Sequence, residues 1–250
     1  MSEPASQAQE RELFADPPDR PGTGPSLEAR LALRLSVGLL AACIALFATA
    51  GTFRFWQAWV FLALVYVPTT SIYLHFLRHD RQVIERRLSH RERSPRQRLL
   101  MRWSKPLFVV IFLLPGLDHR FAWSRTWLEA DPLWLTVIAQ IVVFVGVLLI
   151  GWSLDVNRFA SRTVHVVPGQ ALVRSGPYGV IRHPLYSGSL IVWLFAPLAL
   201  GSFVALPAFA LLIPFYVARV LNEEKTLRKH LAGYGAYCRS TPFRLFPFIW

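Results

Sequence analysis

The chain alternates long apolar runs with shorter polar ones, and several apolar runs have the length of a bilayer crossing. Leu31 to Ala50 is apolar apart from Arg34, Ser36 and Thr49, and about 20 such residues span a hydrocarbon core as a helix. Arg34 lies near its start, where a long basic side chain snorkels to the headgroups. Phe55 to Leu77 predicts a second helix, with Trp56 and Trp59 at one end and Tyr73 at the other, as amphipathic rings settle at the two interfaces. Pro68 falls inside it and favours a kink. Pro106 to Leu117 is marginal as a span unless the flanks from Trp103 to Phe121 contribute, whereas Leu133 to Leu154 is a full one. Ser189 to Val220 is apolar, with Gly201-Ser202 near its middle. It is too long for one crossing and short for two, which fits a tight helical hairpin or a broken helix.

The polar connectors set the topology. Arg78 to Lys105 holds ten Lys/Arg against three acids, and an excess of basic residues marks a cytoplasmic loop. A nucleic-acid arm is the alternative, but most of the run lacks the interleaved aromatics of a stacking groove. Residues 118–132 carry two Arg and three acids, which suits the far side. Residues 155–188 have four Arg against one Asp, and the segment from Arg219 onward is net +4, so both return to the cytoplasm. Residues 1–29 have two Arg against six acids. They read as a disordered cytoplasmic tail, with a folded cap as the alternative. No apolar run begins before Leu31, so this start is not a signal peptide. The expected fold is therefore all-α: an integral membrane bundle of five to six helices with both termini inside. Its parts are the tail at 1–29, membrane helices with a basic loop at 30–154, and a core at 155–250 with a helical hairpin and a cytoplasmic ligand-binding segment.

Composition agrees. Of 250 residues, 54% are hydrophobic and 17% charged, against roughly 25% charged in soluble domains. The net charge of +12 fits loops facing anionic lipid better than a nucleic-acid partner. With two cysteines, Cys43 and Cys238, and no CxxC pair, neither a disulfide scaffold nor a thiolate metal site is expected.

The polar material beside the last hairpin carries the candidate chemistry. Gly176-Pro177 and His183-Pro184 bias the backbone away from helix, and non-helical backbone beside a membrane needs partners that a polar ligand can supply. A plain juxtamembrane turn whose Arg182 meets lipid phosphate is the simpler reading of Arg182-His183-Pro184. Arg219 and Glu223 share a helix face at i, i+4. They form either a weak surface ion pair or a pair in which Glu223 meets a cationic ligand and Arg219 an anionic one. Tyr234 and Tyr237 either stack on a flat ring or seat an amphipathic helix at the interface. No complete GxGxxG fingerprint, Walker loop or HExxH occurs.

Taken together, Gly176-Pro177-Tyr178, Arg182-His183-Pro184-Leu185-Tyr186-Ser187-Gly188, the hairpin, Glu223-Glu224-Lys225-Thr226-Leu227 and Gly233-Tyr234-Gly235-Ala236-Tyr237 resemble the isoprenylcysteine carboxyl methyltransferase family over residues 155–247. Gly116-Leu117-Asp118-His119-Arg120 and Asn157-Arg158-Phe159-Ala160-Ser161 are similar to its bacterial members. The resemblance implies a membrane enzyme that uses S-adenosylmethionine to methylate a lipid-linked or hydrophobic acceptor in a bacterial inner membrane. It places cofactor contacts at Gln170, Ala171, Leu172, Val173, Tyr178, His183, Pro184, Leu185, Tyr186, Glu223 and Glu224, with Tyr234 and Tyr237 beside them. It gives the acceptor carboxylate to Arg219, with Arg182 beside it, and implies no metal. Phospholipid N-methyltransferases share the topology, and NADPH-dependent membrane steroid reductases a related core. A non-enzymatic membrane protein of this fold is the remaining alternative.

Overall fold

A computed structural model describes residues 25–88, 95–127, 132–160 and 170–250. Most of the expected acidic tail, residues 1–24, lies outside them, as do Ser161 and part of the basic loop. The described residues are helical and contain no strand. Helix α1 runs Leu27–Cys43 and continues as a π-turn over Ile44–Ala48. It begins inside the stretch expected to be tail, because the Ser26 hydroxyl accepts from the Ala29 amide at 3.2 Å and caps the first turn. Helix α2, Trp56–His79, runs through Pro68 without a break.

The described residues of the basic segment are mainly helical rather than a loop. They form a short helix, α3, Arg81–Leu88, and the first turns of α4, Pro95–Phe121. The apolar run at 106–117 is thus the second half of one 27-residue helix. Its shortness in sequence reflects basic residues on the leading turns. A short α5, Trp123–Trp127, precedes α6, Leu133–Val156. The hairpin follows as α7, Pro184–Ala199, then α8, Leu206–Ala210, and α9, Leu212–His230; α10 is Tyr234–Ser240. Among the described residues, four stretches are long and apolar enough to cross a membrane: Leu27–Ala48, Trp56–His79, Leu133–Val156 and Leu206–His230; α7 is a shorter apolar helix.

The pair α6–α7 is the most extensive helix contact. A Cβ on Gly188 would stand 2.8 Å from the Gly146 carbonyl, and one on Gly146 would stand 3.0 Å from the Gly188 carbonyl. The two glycines let the backbones touch, so Gly188 is needed here for packing. At the hairpin tip Gly201 takes a left-handed φ of +69°. Asp118 staples that tip: its carboxylate accepts from the Ser202 hydroxyl at 2.5 Å, from the Ser124 amide at 2.8 Å and from the Ser124 hydroxyl. The Ser124 oxygen in turn accepts the amides of Phe203 and Val204 at 2.8 and 3.1 Å.

At the opposite end, Leu31, Phe76, Val83, Ile84, Leu88 and Leu154 form one buried cluster with Leu185 against it. This gathers the start of α1, the end of α2, α3, the end of α6 and the start of α7. The basic segments therefore share one end of the bundle.

Candidate functional site

The local sequence shapes this end first. Gly176–Gly179 forms a single 3-10 turn that buries Pro177 and Tyr178. Pro184 occupies the first turn of α7, where its missing amide costs nothing. The stretch from Gln170 to Arg174, which has no regular secondary structure, leads into this turn. Together with α1, α2, α3, α4, α6, α7, α9 and α10 these segments line a partly open cavity of about 900 Å3, near the upper end of the roughly 300–1,000 Å3 of small-molecule sites.

One wall is a hydrogen-bonded array across the hairpin. The Arg219 Nε donates to the Tyr186 hydroxyl at 3.1 Å, and that hydroxyl donates to Glu223 Oε2 at 2.6 Å. The Arg219 guanidinium also lies over the Tyr186 ring, 5.6 Å from its centroid. The i, i+4 pair expected on α9 is therefore bridged by a tyrosine of α7, and all three residues line the cavity. Deeper in, Tyr216 accepts from the Trp193 indole at 3.1 Å, and Val147, Ile150, Val192 and Phe215 make the lining apolar.

A second group lies behind that wall. Glu224 is buried and accepts from Arg182 Nε at 2.8 Å and from Arg244 Nε at 3.2 Å. The His183 ring nitrogen Nε2 is 3.5 Å away and an Arg228 nitrogen 3.6 Å. The Arg182 Nη1 donates to the carbonyls of Thr241 and Pro242, at 2.8 and 3.0 Å. Its backbone and that of His183 donate to the carbonyls of Phe243 and Arg244 at 3.0 and 2.9 Å. The Ser187 hydroxyl donates to Leu245 at 2.6 Å. Arg182 and Glu224 thus clamp the segment 241–250 across the start of α7. One carboxylate faces several cations, which offsets the cost of burying it.

Tyrosines close the cavity from the α10 side. The Tyr237 hydroxyl donates to the Tyr178 carbonyl at 2.7 Å, and burial pushes its pKa up to about 12. Burial also raises Tyr178, opposed by a hydrogen bond from Asn157, and raises Tyr234, with the nearby Glu224 acting in the same direction. All three phenols are therefore protonated donors at neutral pH. The Tyr234 hydroxyl is buried with no hydrogen-bond partner among the described residues, and Tyr234 lines the cavity. A buried donor at the cavity wall is thus left without an acceptor among the described residues.

The structure brings most of the expected site residues together. Gln170, Ala171, Leu172 and Val173 line the cavity as one stretch; Tyr178, Arg182, His183, Leu185 and Tyr186 line it from the turn and α7. Arg219, Glu223, Tyr234 and Tyr237 complete it. Pro184 and Glu224 are not among the lining residues. The sequence reading missed Arg87, Tyr216 and Trp193, which also line it. It took Arg34 as a lipid contact, although an arginine within an apolar helix is itself a signal of a site.

Residues 134–233 match the family model described as phospholipid methyltransferase. That stretch holds α6, α7, α9, Arg219, Glu223 and the Tyr178–Tyr186 segment. The chain is similar to a Delta(14)-sterol reductase of Mus musculus, 31% identical over 93 residues, which is 35% of this chain and 22% of that protein. It is also similar to the uncharacterized protein YpbQ of Bacillus subtilis (strain 168), 27% identical over 99 residues, 39% of this chain and 58% of that one. The chain therefore spans less than two thirds of the length of either relative.

Proposed function

We propose that this chain is an S-adenosylmethionine-dependent membrane methyltransferase acting on the carboxylate of a lipid-linked or hydrophobic acceptor, with its basic end in the cytoplasm. The array Arg219–Tyr186–Glu223 on one wall of a largely apolar cavity carries the reading. It offers a cation and an anion side by side, next to space for a lipid chain. The residues fit the cofactor: a carboxylate suits its ammonium and sulfonium, and the unpartnered Tyr234 hydroxyl is a donor for its acceptor groups. When bound, S-adenosylmethionine would supply an activated methyl group on its sulfonium for transfer to the acceptor oxygen, with Glu223 and Tyr234 among the residues that would hold it.

The chain's own residues do the rest. Glu223 holds positive charge at the wall, with Tyr186 fixing its orientation. Arg219 orients the acceptor carboxylate by a charge-assisted contact. A carboxylate is already ionised at neutral pH, so no general base is required, and the work is alignment and exclusion of water. Gln170 to Val173 and Tyr178 line the adenosyl side. Arg182 and Glu224 act as positioning residues that hold the 241–250 segment behind His183.

The match to the phospholipid methyltransferase family favours a second reading, methylation of a lipid amine. That route needs the amine to lose a proton first, with Glu223 as the nearby carboxylate. Purified protein with methyl-labelled S-adenosylmethionine, offered S-farnesyl-cysteine and membrane lipid, separates the two. Base-labile label on S-farnesyl-cysteine is the expected result; label in lipid alone moves the assignment to the amine. Glu223→Gln is expected to lose cofactor affinity by about tenfold to a hundredfold, and Arg219→Ala to keep the cofactor and lose turnover. Binding of labelled NADPH in place of S-adenosylmethionine overturns the methyltransferase reading.

A further inference from the structure

A charged residue inside an apolar membrane helix is costly unless its tip finds compensation. Arg34 stands in α1, and its position along the chain would let it reach outward to headgroups. In the folded chain it turns toward α3, where its Nη1 donates to the Arg87 carbonyl at 3.3 Å. Both residues line the large cavity. Arg87 brings a second guanidinium to the same edge, and its Nε is buried with no hydrogen-bond partner among the described residues. A narrow recess lined by Leu31, Arg34, Tyr73, Ile84 and Arg87 extends from there between α1, α2 and α3. On the same elements Glu28 pairs with Arg81, and Asp80 with Arg158 at 3.3 Å. Two permanently charged forks from different helices, one with a donor left over, make a place for an anion of several oxygens.

We propose that Arg34 and Arg87 form an anion subsite for the phosphate of a lipid headgroup, whose chains lie in the apolar part of the same cavity. Three observations select this ligand. The two residues sit at the basic end, where α1 leaves its apolar stretch. The cavity continues inward past Leu35, Val65, Val147 and Phe215, which suit acyl chains. The guanidinium fork matches phosphate oxygens in pairs. Neither arginine belongs to the stretch 134–233 that matches the family model. The N-terminal helices would thus select which lipid reaches Arg219; as a statement about the methyl acceptor, this rests on the methyltransferase reading.

The test reads lipid binding, so it stands apart from methyl transfer. Full-length protein in a phosphate-free maltoside detergent is titrated by native mass spectrometry with dioctanoyl phosphatidic acid and with dioctanoylglycerol, which lacks the phosphate. Phosphatidic acid should bind at least about tenfold more tightly, the scale of one charge-assisted contact. R34Q and R87Q should each lose most of that preference while still binding dioctanoylglycerol, which shows that they fold. R87K should restore part of it, and R54Q, on the opposite end of the bundle, should behave as the parent. Equal binding of the two lipids, or an equal loss in R54Q, overturns the proposal. Displacement of phosphatidic acid by equimolar inorganic phosphate assigns the site to a soluble anion and also overturns it. So does a loss of labelled S-adenosylmethionine affinity in R34Q and R87Q without a loss of lipid preference. A parent protein that shows the phosphate preference but binds no S-adenosylmethionine leaves the subsite standing and removes the methyltransferase reading.

Discussion

Two neighbouring regions of the basic end treat similar residues in opposite ways. On the cavity wall, Glu223 is half-buried and shares one short hydrogen bond with Tyr186. Behind the wall, Glu224 is buried and is held by Arg182 and Arg244, with His183 and Arg228 near. Consecutive helix residues differ by about 100° in direction, so one glutamate faces ligand space and the other faces protein. The cavity wall keeps a charge with a single short hydrogen bond, open to the cavity. A clamp meant to hold satisfies its charge within the chain. Charge alone therefore does not mark a functional residue; the number of partners already in place does.

That comparison can be broken most directly at the clamp. Glu224→Gln leaves the Arg182 guanidinium buried without a counter-charge, and the expected loss is about 3–5 kcal/mol. Glu223→Gln is expected to cost about 1 kcal/mol or less. Chemical unfolding of both variants in detergent checks the pair, and equal losses would erase the distinction between wall and clamp. Gly188→Val tests the support beneath both regions. The new Cβ meets the Gly146 carbonyl at 2.8 Å, a backbone atom that cannot turn aside, so a loss of about 1–3 kcal/mol is expected. Wild-type stability in Gly188→Val would show that the two helices separate freely.

The smallest effect sharpens the comparison at α10. Tyr237→Phe removes the hydrogen bond to the Tyr178 carbonyl, which costs about 1 kcal/mol. The folded pKa of Tyr237 is raised from 10.0 to about 12. Its stabilising contribution is therefore fully present below pH 10 and is lost as pH rises through about 12. An unfolding series across that window should fall more steeply in the parent than in Tyr237→Phe. Identical slopes would mean that this phenol titrates as it does in the unfolded chain.

Much of the architecture was legible because membrane helices announce themselves by length and apolarity. The spans at Leu31–Ala50, Phe55–Leu77 and Leu133–Leu154 and the break at Gly201-Ser202 all have counterparts among the helices and turns. The basic segment was less legible. Its charges read as a connecting loop, but those among the described residues lie at the end of α2, on α3 and on the first turns of α4, since a run of arginines says where a segment lies and not whether it is helical. Of the cavity-lining stretch from Gln170 to Tyr186, the turns at Gly176-Pro177 and His183-Pro184 were legible because these residues break helix locally, whereas Gln170 to Val173 came from the family resemblance. The part played by Gly188 was not, since a glycine in a motif looks the same whether it binds ligand or lets Gly146 approach.

By itself, the amino-acid sequence determined the class of protein, the order of its apolar helices, the hairpin and the set of polar residues beside it. Those features follow from hydrophobic length and from local backbone preference, which act within a few residues. Only the tertiary structure decided which glutamate faces the cavity, that Tyr186 joins Arg219 to Glu223, and that Arg182 grips the segment 241–250. It alone decided that Arg34 and Arg87, 53 positions apart, meet at one edge. Each of those depends on how the helices rotate and pack against one another. That choice is made by burial and by hydrogen bonds between distant parts of the chain.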